Sequence, residues 1–202
     1  MIKTIIFDIG QVLLQYHPKS FLLEHYKEED ALFLLDTLFL SPLWLDLDRG
    51  TKAYAEVQTL LENSYPAYQS EYKFLLANWP SMLQPIASTT HMLPTLKKLG
   101  FQLLYLSNFH ESAFQNVLEQ HQFFKLFDGG VVSFQQRLMK PEPEIYQSLL
   151  RAYDLLPNEC LFIDDSSANV LAAKQLGFHI IHLTQDLDLQ TVLQDYIPLL
   201  TQ

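Results

Sequence analysis

Thr4–Leu14, TIIFDIGQVLL, is the stretch that decides the fold. Thr4, Ile5, Ile6 and Phe7 are β-branched, aliphatic or aromatic, and such an unbroken run reads as a strand buried on both faces. Asp8 stands where the apolar run stops, Gly10 follows two residues later, and a second apolar run begins at Val12. In an open parallel sheet, polar residues at the carboxyl ends of neighbouring strands converge on one crevice. An aspartate in that place needs companions from other strands before it means more than a helix cap.

The second half of the chain supplies the strands. FQLLYLSN (Phe101–Asn108), GGVVSF (Gly129–Phe134), CLFIDD (Cys160–Asp165) and HIIHL (His179–Leu183) read as strands. They alternate with helical patterns at ESAFQNVLEQH, EPEIYQSLLRAY, SSANVLAAKQLG and DLDLQTVLQDY. Apolar strands alternating with helices predict βαβ units and a parallel sheet covered on both faces, an α/β fold with a Rossmann-like core. Residues 16–85 break the rhythm. They hold no convincing strand, are rich in aromatics from Phe21 to Trp79, and are punctuated by Pro42, Gly50, Pro66 and Pro80. We expect an inserted helical domain at 16–85 on a core of 1–15 and 86–202. A lid over the sheet edge is the sharper reading of it, an ordinary helical subdomain the plainer one.

Composition narrows the function. Just under half of the 202 residues are hydrophobic, enough for a sizeable core. The net charge of -10 is dispersed, without the clustered Lys and Arg that nucleic acid requires. No apolar run approaches a membrane span, ALFLLDTLFL being short and carrying Asp36, and no signal peptide fits ahead of the first strand. The one cysteine, Cys160, sits in a strand pattern and reads as an inert buried thiol. We expect a cytoplasmic protein with no nucleic-acid or membrane partner. The sequence leaves the oligomeric state open.

Three strands end in polar clusters after apolar bodies: Asp8; Ser107 and Asn108; Asp164 and Asp165. Ser166 or Ser167 serves as the cap of the following helix, which frees the two acids. Two adjacent carboxylates with a third on another strand make a hard oxygen site suited to Mg2+. Lys140 precedes Pro141 and so is steered away from helix, in a loop that can aim its ammonium into the crevice. Alone it reads as a solvated lysine. Together these residues suit phosphoryl transfer, with a carboxylate nucleophile, charge neutralisation, and a hydroxyl and amides holding oxygens.

FDIGQVL, LYLSN, MKPEPEIYQSLL and FIDDSSANVLAAKQLG resemble, in order, the four motifs of the haloacid dehalogenase-like hydrolase superfamily. The helical insert falls where that family carries its helical cap, and within the family the motifs are most similar to the α-D-glucose-1-phosphate phosphatase type. The resemblance implies a Mg2+-dependent phosphatase acting on a small phosphorylated molecule, a sugar phosphate among the candidates. It makes Asp8 the nucleophile, and assigns Mg2+ to Asp8, the Gly10 carbonyl, Asp165 and Asp164. Ser107, Asn108 and Lys140 hold the phosphoryl group, and Asn169 lies behind them.

Two positions depart from the family. Most of its phosphatases have a second aspartate, the proton donor and later the base, where this chain has Gly10. Loss of such a group costs about 10²–10⁴-fold in rate. His110 and Gln11 are nearby candidates for a compensating role, although His110 also fits an ordinary helix start. Gln136, Arg137 and Leu138 replace the usual glycine ahead of the lysine. Two alternatives stay open: a 2-haloacid dehalogenase, to which Tyr146 is correctly spaced, and a non-catalytic phosphate-binding member. Adjacent Asp164 and Asp165 argue against the first, because they repel an anionic substrate unless a cation lies between them. Trp44, Asp48 and Arg49 can reach a substrate from the insert, though lid packing is the plainer reading. His179 and His182 flank a strand and read as packed or terminal.

Overall fold

The computed structural model describes residues 1–184 and 186–197. Five parallel strands stand in the order β3-β2-β1-β4-β5: β1 (Thr4–Phe7), β2 (Gln102–Ser107), β3 (Gly129–Val132), β4 (Cys160–Asp164) and β5 (His179–His182). The chain builds outward on one side of β1 and then returns to its other side, so the order reverses between β1 and β4. That reversal is where an open α/β sheet forms its crevice.

The two-residue period of β1 assigns its side chains. Ile5 and Phe7 join Leu103, Leu161 and Ile163 on one face, and Ile6 joins Leu104, Leu106 and Phe162 on the other. Helices α10 (Pro143–Ala152) and α11 (Ser167–Gln175) cover the second face through Ile145, Leu149, Val170 and Ala173. The first face is covered by α7 (Leu93–Lys98), α8 (Glu111–Gln120) and α12 (Leu189–Tyr196). The short helices α6 (Ala87–Thr90) and α9 (Ser133–Gln136) complete the core. GGVVSF is strand only as far as Val132. The Ser133 hydroxyl is taken instead by bonds from Phe109 N–H and to the Asp48 carbonyl, which turns the chain into α9.

Between β1 and β2 the chain forms α1 (Pro18–His25), α2 (Glu28–Leu34), α3 (Pro42–Arg49), α4 (Tyr54–Ser64) and α5 (Gln69–Asn78), with no strand among them. It leaves and returns side by side: Gln15 N–H donates to the Gln84 carbonyl at 2.8 Å, and Ile86 N–H to the Leu13 carbonyl at 2.9 Å. The insert does not hang free. Leu22, Leu34, Trp44, Tyr72 and Trp79 belong to the same buried cluster as Ile5 and Phe7. Among the described residues, no helix is long and apolar enough to cross a membrane.

Helix α3 is fastened to the core at its end. The Arg49 guanidinium grips the Glu142 carboxylate with two bonds of 3.1 and 2.5 Å, and reaches the Arg137 carbonyl at 3.3 Å. Gly50 closes α3 in the left-handed region, φ 71°, with the Phe134 carbonyl oxygen 2.7 Å from where a Cβ would stand. A methyl there suffers both backbone strain and a clash with main chain that cannot swing away. Gly10 is the opposite case, with nothing within 4 Å of a Cβ position. We expect Gly50→Ala to lose at least about 1–2 kcal/mol, a fall in Tm of at least about 2–4 °C. Gly10→Ala should be neutral or stabilising by about 0.4–1 kcal/mol. Thermal melts of the two variants against wild type check both.

Candidate active site

Strand register brings the acids together. Phe7 of β1 stands opposite Tyr105 of β2 and Ile163 of β4, so one step further Asp8 and Asp164 emerge side by side at the carboxyl edge. Asp8 N–H continues the ladder to the Ile163 carbonyl at 2.9 Å. Lys140, from the loop between α9 and α10, is only 4% exposed. Its ammonium lies 2.8 Å from Asp8 Oδ1 and 2.6 Å from Asp164 Oδ2.

Neighbouring groups hold this trio rigidly. Asp164 Oδ1 accepts from Ser166 N–H at 2.8 Å, and the Asn169 amide donates to both Asp164 oxygens at 3.0 and 3.1 Å. The Asn108 side chain closes a two-bond pair with the Lys140 backbone: Lys140 N–H donates to Oδ1 at 2.8 Å and Nδ2 donates to the Lys140 carbonyl at 3.0 Å. That pair fixes the backbone from which the lysine side chain departs. Tyr146 is fully buried, and its hydroxyl donates to the Asn169 carbonyl at 3.0 Å. Ser107 is buried beside Asp8, where its hydroxyl favours the carboxylate form.

Burial pushes the Asp8 carboxyl up to about 7, opposed by the Lys140 charge and reinforced by Asp164. Burial works against the Lys140 ammonium, but Asp164 and Asp8 outweigh it and leave the amine above its ordinary value. Asp165 is largely exposed, yet its carboxyl is raised, first by desolvation in the cleft and then by the Asp164 charge.

One carboxylate oxygen from each of Asp8, Asp164 and Asp165 lies within 4.8 Å of the others. Three carboxylates facing one ammonium leave net negative charge, and all the donors are hard oxygens, so the cluster fits Mg2+. The three are not equivalent. Asp164 has both oxygens engaged by protein, and Asp8 Oδ1 already accepts from Ile9 N–H at 2.7 Å and from Lys140. Asp165 and the second oxygen of Asp8 are therefore the freer oxygens of the cluster.

Above the cluster is a cavity of about 190 Å³. Asp8, Ser107, Asn108, Asn169 and Lys140 line it from the core, with Gly10 at its edge; Tyr16, Trp44, Asp48 and Trp79 close it from the insert. The Trp44 and Trp79 rings meet edge to face at 4.9 Å. Trp44 and Asp48, read from sequence as lid packing, thus reach the cavity. Their spacing of four puts them on one face of α3, a signal the sequence does carry. Tyr16 and Trp79 carried no such signal. Arg49 faces Glu142 instead of the cavity, and Arg137 is exposed, its carbonyl accepting from Arg49. Gln11 is occupied locally, accepting from Tyr16 N–H at 3.1 Å. His182 contacts the Asp165 carbonyl at 2.9 Å, and His179 the Asn158 carbonyl at 3.2 Å.

A family model described as haloacid dehalogenase-like hydrolase matches residues 2–177. Among curated proteins, the chain is 29% identical over 185 residues to the sesquiterpene phosphatase astK of Aspergillus oryzae, covering 92% of this chain and 91% of that one. Among solved structures it is similar to a HAD family enzyme of Bacteroides thetaiotaomicron in complex with magnesium and inorganic phosphate. There the TM-score is 0.75 at 21% identity, over 95% of this chain and 99% of that one. L-2-haloacid dehalogenase from Xanthobacter autotrophicus has a TM-score of 0.68 at 19% identity, over 100% and 86% of the two chains. At these identities the structural matches establish the fold.

The raised Asp8 carboxyl has a consequence for stability. The native state holds this proton up to about pH 7, whereas the unfolded chain releases it near pH ~4. Its contribution is therefore fully present below pH ~4 and lost as pH rises through about 7. Asp8→Asn removes that loss. Without divalent cations, the variant should melt above wild type at pH 8, and the gap should close toward pH 4. Melts across that range test it, and a gap that widens toward acid contradicts it.

Proposed function

The chain belongs to the haloacid dehalogenase-like hydrolase family, and on that premise we propose that it is a Mg2+-dependent phosphatase of small phosphate esters working through a phosphorylated aspartate. The observation that carries this reading is the buried Asp8–Lys140–Asp164 cluster facing a cavity roofed by the insert. A freer oxygen of Asp8 attacks phosphorus while the other is held by Lys140 and Ile9 N–H. Lys140 neutralises charge on both nucleophile and phosphoryl group, and Ser107 with neighbouring backbone amides receives the phosphoryl oxygens. Asn108 serves through its grip on the Lys140 backbone. Asp8, Asp165 and the Gly10 carbonyl, with Asp164 behind them, would hold Mg2+, which supplies further neutralisation of the transferring group.

The name of the Aspergillus oryzae relative and the magnesium and phosphate in the Bacteroides thetaiotaomicron complex support this chemistry. Cavity size limits the substrate: about 190 Å³ is below the ~300–1,000 Å³ of pockets for drug-sized ligands. The aromatic roof suits a sugar ring or a short hydrocarbon. In this reading residues 16–85 are the cap on a core of 1–15 and 86–202, and the protein works in the cytoplasm. The three clustered acids disfavour the dehalogenase alternative, since they would repel a haloacid carboxylate.

Phosphate release from a panel of sugar phosphates, alkyl phosphates and 4-nitrophenyl phosphate tests the proposal. Release should require Mg2+, stop with chelator, and fall at least about 10³-fold in Asp8→Asn. Lys140→Met should cost about 10²–10³-fold. Release that persists in Asp8→Asn sinks the reading.

A further inference from the structure

The phosphatase reading leaves one role without an owner, because Gly10 can neither protonate a leaving oxygen nor activate water. We infer that Asp48 of the insert is the proton-transferring carboxylate of this site and that His110 holds and orients it. Apart from the nucleophile and Lys140, the titratable groups lining the cavity are Asp48 and Tyr16. Tyr16 is raised well above the ordinary phenol value by burial, with the Asp48 charge adding, and is a poor acid.

Behind Asp48 lies a chain of hydrogen-bonding groups. Trp79 Nε1–H donates to the Tyr54 hydroxyl oxygen at 2.7 Å. The Tyr54 hydroxyl lies 2.8 Å from His110 Nδ1, and in this assignment it is the donor there. A neutral imidazole then carries its proton on Nε2, which lies 3.1 Å from Asp48 Oδ1. His110 is 1% exposed, and that contact is too bent for a directed hydrogen bond, so Nε2 is a buried polar atom without a partner. At 3.1 Å Nε2 still lies against the Asp48 carboxylate. When His110 takes a second proton, Nδ1–H donates to the Tyr54 oxygen and the phenol turns to Ser112, within its hydrogen-bonding reach. Tyr54 itself, pushed up to about 12 by burial, keeps its proton throughout. Asp48, Tyr54 and Tyr16 stand around the pair on the cavity side, Lys52 and Glu111 line the pocket on the other side of His110, and Arg49 is turned to Glu142.

The proton balance closes. As Asp8 bonds to phosphorus and the ester P–O bond breaks, the proton of the Asp48 carboxyl passes to the leaving oxygen, giving the alcohol and an Asp48 carboxylate that faces the Nε2–H of a neutral His110. A water oxygen then attacks phosphorus, the Asp8–phosphorus bond breaks, and the water proton returns to Asp48 as inorganic phosphate forms.

The experiment compares kcat/KM for 4-nitrophenyl phosphate, whose leaving group needs little protonation, with that for glycerol 3-phosphate, whose leaving group needs much. In Asp48→Asn the alkyl ester should lose about 10²–10⁴-fold and the aryl ester less than about 10-fold. Gly10→Asp meets nothing within 4 Å of its Cβ, and in the Asp48→Asn background it should restore at least about 10-fold of the alkyl activity. His110→Gln should shift the pH profile for the alkyl ester and leave that for the aryl ester in place. Circular dichroism and Tm establish that each variant is folded, and Asp48→Glu, which keeps the acid, should retain activity on the alkyl ester. Equal loss on both esters, no loss, or a folded double variant without rescue overturns the assignment. A wild type inactive on every ester fails the phosphatase reading itself, and this inference with it.

Discussion

The buried ammonium of Lys140 is the constraint on which the site depends. Asp8 and Asp164 emerge side by side because β1 and β4 are neighbours in register, and without a cation their charges would repel at close range. Lys140 lies within 2.8 Å of one and 2.6 Å of the other. Removing Lys140 would leave two buried carboxylates without a cation, a loss of about 3–5 kcal/mol. The bonds from Asn108 to the Lys140 backbone and from Asn169 and Ser166 to Asp164 follow from this constraint, since a buried charge is tolerable only when its remaining valences are met.

The same loop ties the site to the insert. Glu142 accepts from Met139 N–H at 3.1 Å and, through the same carboxylate, pairs with Arg49 at the end of α3. The helix that brings Trp44 and Asp48 to the cavity is thus bonded to the loop that brings Lys140 to the acids. A displacement of α3 pulls on both roof and floor. The surface-level ion pair contributes little to stability by itself, so its effect lies in registration between the two.

The parallel sheet was legible because its strands are buried on both faces and read as uninterrupted apolar runs. The polar residues that end those runs, Asp8, Ser107, Asp164 and Asp165, followed from the same pattern. Strand order is not written in any one segment, yet register alone puts Asp8 beside Asp164. The roof was harder to read. Tyr16, Trp79 and Tyr54 sit in short helices and turns whose facing depends on how the insert folds back, and aromatic residues abound there for packing alone. Asn108 shows the same limit: sequence gave it a place at the cavity, while its side chain is committed to the backbone of a residue thirty-two positions away.

Gly10 shows how an absence can be read physically. Its Cβ position is open and its backbone is not in the left-handed region, so packing does not exclude a side chain there. The missing carboxylate is therefore not a consequence of the fold, and a group elsewhere in the cavity is free to take its task. Asp48 comes from an element separate from the nucleophile's strand, and its neighbour His110, 3.1 Å away, follows β2 on the core side. A proton carrier divided in this way is assembled only when insert and core are together. Chemistry that needs a protonated leaving group is then confined to the site that both together form.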